Sequence, residues 1–158
     1  MTAVKAADAE TLRANEKKWS KPLMDAGWNA FPSIVIEKQQ ALGLDPIDMN
    51  IVLHLTQYWW KADNLPHPSV ATIAAAIGVT PRTVQKRIAG LQAAGLMERT
   101  ERRHTRFGSM TNEYSFNGLI KAVMPHAAEK LEARAKRAKE HDERIARKRP
   151  KLTLVKKS

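Results

Sequence analysis

Two short predicted helices joined by a tight turn constrain the fold of this chain more than any other feature. Ser69 is a favourable N-cap for the first helix, because a serine hydroxyl accepts a hydrogen bond from the free N–H groups of the first helical turn. Apolar residues then recur at helical spacing on one face of the helix: Val70, Ile73, Ala74 and Ile77. The pattern predicts a helix that packs against a core through one side only.

The second helix, predicted over residues 81–94, follows a turn at Gly78 and carries its own start and stop signals. Thr80 is the predicted N-cap, Pro81 suits the first helical position, and Gly95 ends the helix. Its buried face consists of Val84, Ile88 and Leu91. With that face turned inward, the polar residues left near the exposed side of its start are Thr80, Arg82, Thr83, Gln85 and Lys86.

A β-hairpin is predicted after this helix, over residues 96–116. Two β-prone segments, 96–104 and 112–116, flank a polar, glycine-containing tip. Its basic and polar residues suit contacts to a DNA backbone or a minor groove: Arg102, Arg103, His104, Thr105 and Arg106.

This order of parts meets the needs of a protein that reads duplex DNA. One helix must lie across the backbone, for which Ser69 and Thr72 are candidate contacts, while the next enters the major groove, which admits one α-helix. Arginine bonds guanine through two hydrogen bonds, and glutamine does the same with adenine. Arg82 and Gln85 are therefore candidate base-reading residues.

The stretch from Pro68 to Ile88, followed by Leu91 and Ala94-Gly95-Leu96, resembles the winged helix-turn-helix superfamily. It is especially similar to helix-turn-helix proteins of bacterial regulators, plasmids and phage-like elements, and the likeness covers residues 31–119. The resemblance implies a mainly α fold of three helices with a small β-hairpin wing, and a DNA-binding role.

The flanking residues complete the predicted organisation. Residues 1–20 are polar, without a clear hydrophobic face, and are predicted to be a flexible tail; residues 21–118 form the winged helix-turn-helix domain. Within it, residues 34–42 read as a short helix ended by Gly43. Asp45 and Pro46 then start a helix that runs towards Tyr58-Trp59-Trp60. The three tryptophans in this region, Trp28, Trp59 and Trp60, are interpreted as core or interface residues.

Positive charge is concentrated in two blocks. The chain has a formal net charge of +11, and residues 68–112 carry 7 Lys and Arg against 2 acidic residues. Residues 119–158 carry 13 Lys and Arg against 5 acidic residues, and they are predicted as a basic helix over 119–149 that Pro125 interrupts or restarts, followed by a tail over 150–158. The helix is open to three interpretations: a DNA arm, a solvated helix, or a dimer seam along Ala128, Leu131, Ala135, Ala138 and Ile145. It is also a candidate surface for a protein partner.

Several function classes are disfavoured. The chain has no cysteine, and its five histidines lack metal-ligand spacing, so we expect no metal or cofactor. No catalytic motif or phosphate-binding loop is visible, so we expect no enzyme. The apolar runs are too short to span a membrane, and the start of the chain lacks a signal-peptide core, so we expect a cytoplasmic protein.

The leading interpretation is a sequence-specific transcriptional regulator, a repressor that binds double-stranded DNA as a homodimer. One alternative is a replication-initiation or partition factor of a mobile element, which would bind clustered direct repeats and not a palindrome. A second is an adaptor in which the winged helix binds protein.

Overall fold

The computed structural model describes residues 2–104 and 108–146. Helices and short strands follow one another in the order predicted for a winged helix-turn-helix. The elements are α1 (Thr2–Trp19), α2 (Lys21–Asp25), α3 (Ser33–Glu37), α4 (Pro46–Thr56), α5 (Val70–Ile77), α6 (Pro81–Ala93), β1 (Glu98–Thr100), β2 (Arg103–His104), β3 (Gly108–Ser109), β4 (Glu113–Ser115) and α7 (Asn117–Ala146).

The N-terminal segment forms a helix, α1 (Thr2–Trp19), which was not predicted. Its Ala-, Glu- and Lys-rich composition has high helix propensity, which a search for an apolar face overlooks. The helix packs against α2, and the side chains of residues 9–14 and 17–20 are exposed. The mobility of this segment stays a prediction, as does the division of the chain into a domain and two arms.

Helix α3 is shorter than predicted, whereas the start of α4 agrees with prediction. α3 ends at Glu37, and the chain continues in turns to Gly43, whose φ of 71° is the left-handed conformation expected at a helix end. Asp45 caps α4 by accepting hydrogen bonds from the N–H groups of Ile47 and Asp48, at 2.8 and 2.9 Å. The Asp48 carboxylate accepts in return from the Asp45 N–H, at 3.2 Å, which completes a capping box.

The core lies where α4, α5 and α6 meet, and it contains the apolar faces predicted for α5 and α6. Ile73 and Val84 are fully buried, and α4 packs against both of the other helices. Burial of this kind removes apolar surface from water and is the main favourable term in folding. The largest fully buried side chains of these helices are Ile51, Leu55, Ile73 and Ile88, and Tyr114 of β4 joins them.

The hairpin consists of two short antiparallel ladders. β1 pairs with β4, with Arg99 opposite Tyr114, and β2 pairs with β3 nearer the tip. The N–H of Tyr114 also donates to the carbonyl oxygen of Pro66, at 3.0 Å, so the loop before α5 is fixed to the outer edge of the hairpin. The predicted wing is confirmed over these strands.

Helix α7 passes through Pro125 without interruption, contrary to the predicted break. Proline costs a helix one N–H and crowds the preceding turn. Here the ring is exposed, so that the unmatched carbonyl group of the preceding turn remains near water. Leu119 and Val123 bury the first turns of α7 against the core, and Lys130 forms an ion pair with Glu37 of α3, at 2.5 Å. Residues 134–146 are all exposed, and they extend beyond the body by about 20 Å.

The three predicted core or interface tryptophans occupy two environments. Trp59 is half-buried and packs against Phe116, with 5.7 Å between ring centroids. Trp28 and Trp60 are exposed and meet edge to face, with 6.2 Å between centroids. Trp59 therefore belongs to the core, whereas the other two contact each other at the surface. None of the described helices is both long and apolar enough to cross a membrane.

Candidate nucleic-acid interface

The turn between α5 and α6 holds the two helices in a fixed relation. Thr72 N–H donates to the Ser69 hydroxyl, at 3.0 Å, and Gly78 ends α5 with a φ of 73° in the left-handed region. The Thr80 hydroxyl then accepts from the Thr83 N–H, at 3.2 Å, and caps α6, which starts four residues after the last residue of α5. Both predicted caps are present, and they define the angle at which α6 is presented.

Helix α6 turns its apolar face fully inward. Val84, Ile88 and Leu91 are buried, with exposed fractions of 4% or less. Arg82, Gln85 and Lys86 are exposed as a consequence, because residues in a helix are about 100° apart around its axis. Within residues 2–104 and 108–146, neither Arg82 nor Lys86 forms an ion pair.

A groove of about 590 Å³ runs along one side of α6. It brings together four of the predicted contact residues, Thr80, Arg82, Thr83 and Lys86. Gln85 does not line it, because two residues along a helix correspond to about 200°, which places Gln85 on the opposite flank from Thr83. The groove also reaches the turn before α4; its other lining residues are Gly43, Asp48, Arg87, Gly90, Leu91, Ala94 and Leu96.

The hydroxyl groups at the helix starts already have partners. The oxygens of Thr80 and Thr83 are 2.9 Å apart, and those of Ser69 and Thr72 are 2.8 Å apart. One hydroxyl of each pair also accepts from a backbone N–H, so the local role of these residues is helix capping. Their predicted contacts to DNA stay predictions.

Arg87 faces away from the exposed side of α6 and joins it to α4. Its guanidinium forms an ion pair with Asp45 and lies 3.9 Å from the Asp48 carboxylate. Hydrogen bonding from the Asp48 backbone N–H, aided by Arg87, lowers the pKa of Asp45, whereas burial raises the pKa of Asp48. The capping box of α4 therefore also positions α6.

The described part of the wing presents two of its predicted contact residues. Arg103 is exposed, with its guanidinium 3.9 Å from Glu101, and Arg102 is half-buried. His104 lies in β2, opposite Gly108. Thr105 and Arg106 lie outside the described residues. Groups of three or more His, Asp or Glu side chains able to hold a metal ion are absent from the described parts of the chain.

Comparison with protein families places this geometry in a known class. Residues 42–97 match the family model of the helix-turn-helix domain, which spans α4, the turn and α6. This segment is a helix-turn-helix domain. With β1 to β4 forming the hairpin after α6, the predicted winged helix-turn-helix fold is confirmed.

Solved structures are similar to this chain at low sequence identity. The N-terminal domain of DnaD protein from Geobacillus kaustophilus HTA426 is 15% identical, with a TM-score of 0.51 over 86% of this chain and 99% of that one. YusO from Bacillus subtilis is 19% identical, with a TM-score of 0.40 over 85% and 97% of the two chains. The multiple antibiotic-resistance repressor MarR from Listeria monocytogenes 4b F2365 is 17% identical, with a TM-score of 0.37 over 91% and 95%. A comparison with curated proteins found no match.

Sequence reasoning missed two features of the helix-turn-helix domain. It assigned Arg87 no partner, although the carboxylate of Asp45, where a helix was predicted to start, offered the necessary charge. It also overlooked Gly90, a glycine in the interior of a predicted helix that lines the groove beside Arg82 and Lys86. The signal for Gly90 was its low helix propensity.

Proposed function

We propose that this protein binds double-stranded DNA by inserting the start of α6 into the major groove. The observation that carries the proposal is the exposure of Arg82, Gln85 and Lys86 on a helix whose opposite face is buried and whose start is fixed by the turn. A recognition helix must present long polar side chains to base edges while it stays rigidly attached to its domain. The first two turns of α6 meet both needs.

The chemistry of these side chains suits both parts of DNA recognition. Arg82 has five N–H donors and no described ionic partner, so it is free to bond guanine. Gln85, on the other flank, carries the donor and acceptor that adenine requires. Lys86 is a flexible point charge suited to a phosphate or a base.

The wing and the C-terminal segment add electrostatic attraction. Arg103 extends the cationic surface to the hairpin, where a DNA backbone or minor groove would pass. Helix α7 carries 7 Lys and Arg against 5 acidic residues, whereas residues 147–158 carry 6 basic residues and no acidic one. The excess charge of the predicted arm is therefore concentrated in the last twelve residues. We propose these as a non-specific contact to phosphates.

The finer proposal is a transcriptional repressor that acts in the cytoplasm as a homodimer, by binding and not by catalysis. Support for a dimer comes from α7, where Met124, Leu131, Ala138 and Ile145 recur every seven residues. The three large ones are 59–70% exposed. A seven-residue apolar repeat is the pattern by which two helices pair. Two copies would read the two halves of a palindrome.

The test is a gel-shift titration with DNA sites selected from a random pool. Arg82→Ala or Gln85→Ala should weaken binding to the preferred site by about 1–3 kcal/mol, roughly 5- to 150-fold, and relax the base preference at one position. Lys21→Ala is the matched control, since it removes a charge from α2, outside the helix-turn-helix domain. Equal binding by the control and the two α6 variants would contradict the proposal.

The finer claims have separate measurements. Light scattering that gives a monomer both free and on DNA would remove the homodimer. Selected sites that are palindromes, found over a promoter, support a repressor, while clustered direct repeats would favour a replication or partition factor. Deletion of residues 147–158 should weaken all DNA alike and flatten the dependence of affinity on salt.

A further inference from the structure

Gly90 lies in the interior of α6, three residues before the end of the helix at Ala93 and more than two turns after its start at Pro81. Glycine is strongly disfavoured in helix interiors relative to alanine, because the unfolded chain loses more conformational freedom on folding. A glycine at this position therefore lowers the stability of the fold unless something requires it.

Nothing within the described chain requires Gly90. Its backbone is not in the left-handed region, unlike that of Gly78 or Gly95, which need their positive φ to end α5 and the turn after α6. A Cβ atom built on Gly90 would meet no atom within 4 Å, whereas one on Gly118 would overlap the backbone of Gly95. Among the glycines of the described ranges, Gly90 has neither a conformational nor an internal packing reason.

The position of Gly90 indicates where the reason lies. It lines the 590 Å³ groove together with Arg82, Thr83 and Lys86. Lys86 is four residues before Gly90, so the two lie one above the other on the same side of α6. The space that a side chain at Gly90 would occupy is therefore part of the same groove that Arg82 and Lys86 line.

We infer that the sugar–phosphate backbone of duplex DNA enters this groove and approaches α6 most closely at Gly90. This inference rests on the proposed DNA binding and deepens it. Arg82 and Lys86 neutralise phosphates or reach bases at one end of the groove. At Gly90 no side chain intervenes, so the DNA can approach the backbone of α6 directly. DNA is the occupant favoured by charge, because Arg82 and Lys86 line the groove without an ionic partner among the described residues, whereas the Asp48 carboxylate lies beside Arg87.

The experiment measures stability and DNA affinity on the same variants of the full chain. Gly90→Ala should raise Tm by about 2–4 °C, since it removes a helix-breaking residue without a clash. The same methyl group should weaken binding to a selected DNA site severalfold, and Gly90→Leu should weaken it at least tenfold. Ala14→Leu, an added side chain on the exposed surface of α1, is the control for bulk and should leave affinity unchanged.

The outcomes separate this inference from the proposed function. If Gly90→Ala and Gly90→Leu bind DNA like the wild type while Arg82→Ala binds weakly, the inference is overturned and DNA binding by α6 stands. If Arg82→Ala also binds like the wild type, the proposed function itself fails. Weakened binding together with a lowered Tm would overturn the inference too, because it would show that Gly90 serves the fold. Weakened binding with a raised Tm supports it.

Discussion

Gly118 lies at the start of α7, where the helix passes directly over the backbone at the end of the helix-turn-helix domain. A Cβ atom at this position would overlap the carbonyl oxygen of Gly95 and would lie 2.9 Å from its carbonyl carbon and 3.1 Å from that of Leu96. The next residue, Leu119, donates its N–H to the carbonyl oxygen of Leu96, at 2.9 Å. Gly118→Ala should therefore push α7 away from this junction.

The cost follows from what must move. Backbone cannot rotate out of the way as a flexible side chain can, so the added methyl group costs about 1–3 kcal/mol of overpacking. Lengthening the hydrogen bond from Leu119 to Leu96, both of which are buried, costs about 1–3 kcal/mol more. The gain in helix propensity offsets less than about 1 kcal/mol. The net loss in the free energy of unfolding is about 1–5 kcal/mol.

The assay is urea unfolding followed by circular dichroism, with Gly90→Ala as the matched control. Both variants replace a helical glycine by alanine, yet Gly118→Ala should lower the free energy of unfolding and Gly90→Ala should raise it. A Gly118→Ala variant as stable as the wild type would refute the close approach of α7 to the Gly95–Leu96 backbone. It would also show that this contact does not hold α7 in place against the core.

Two further predictions concern pH. Asp45→Asn keeps a capping side chain but removes the charge that pairs with Arg87, so it should lower stability at pH 7 by about 0.5–1 kcal/mol. Because the pKa of Asp45 is lowered in the fold, that stabilisation is lost as pH falls below the ordinary value of 3.8; unfolding curves of variant and wild type that stay equally far apart at low pH would contradict this. Burial lowers the pKa of His54, so the unfolded chain binds a proton near the ordinary value of 6.5 before the folded one does. The stability of the wild type should therefore fall between pH 7 and pH 5. In thermal unfolding, the His54→Gln variant should lose less stability than the wild type over this range. An equal loss in both would show that His54 is protonated equally well in the folded chain.

Features set by neighbouring residues could be predicted from the sequence. Ser69, Thr80 and Asp45 cap helices in the structure because the bonds that define a cap run to N–H groups two or three residues away. The inward faces of α5 and α6 were equally predictable, since residues three and four apart necessarily share a helix face. These local rules sufficed to predict Arg82, Gln85 and Lys86 as exposed.

Features that depend on distant residues, or on competing local preferences, were not predictable. No helix is predicted where α1 forms, because residues 1–20 lack an apolar face, but their helix propensity is high. The end of α3 at Glu37 and the passage of α7 through Pro125 also differ from expectation. At Pro125 an exposed position reduces the cost of the missing N–H, and exposure is a property of the folded chain.

The local features of the helix-turn-helix domain follow from the order of residues alone: its caps, its turn at Gly78, its buried faces and the polar start of α6. The surroundings of α6 depend instead on how distant elements pack. The tertiary structure brought Asp45 from before α4 onto Arg87, and it placed Gly118 against Gly95. It also left Gly90 open in a groove beside Arg82 and Lys86, but separated Gln85 from that groove. The two groups of features differ in the separation along the chain of the residues that interact. Caps and helix faces form between residues a few positions apart, whereas grooves and ion pairs between helices require the packed core.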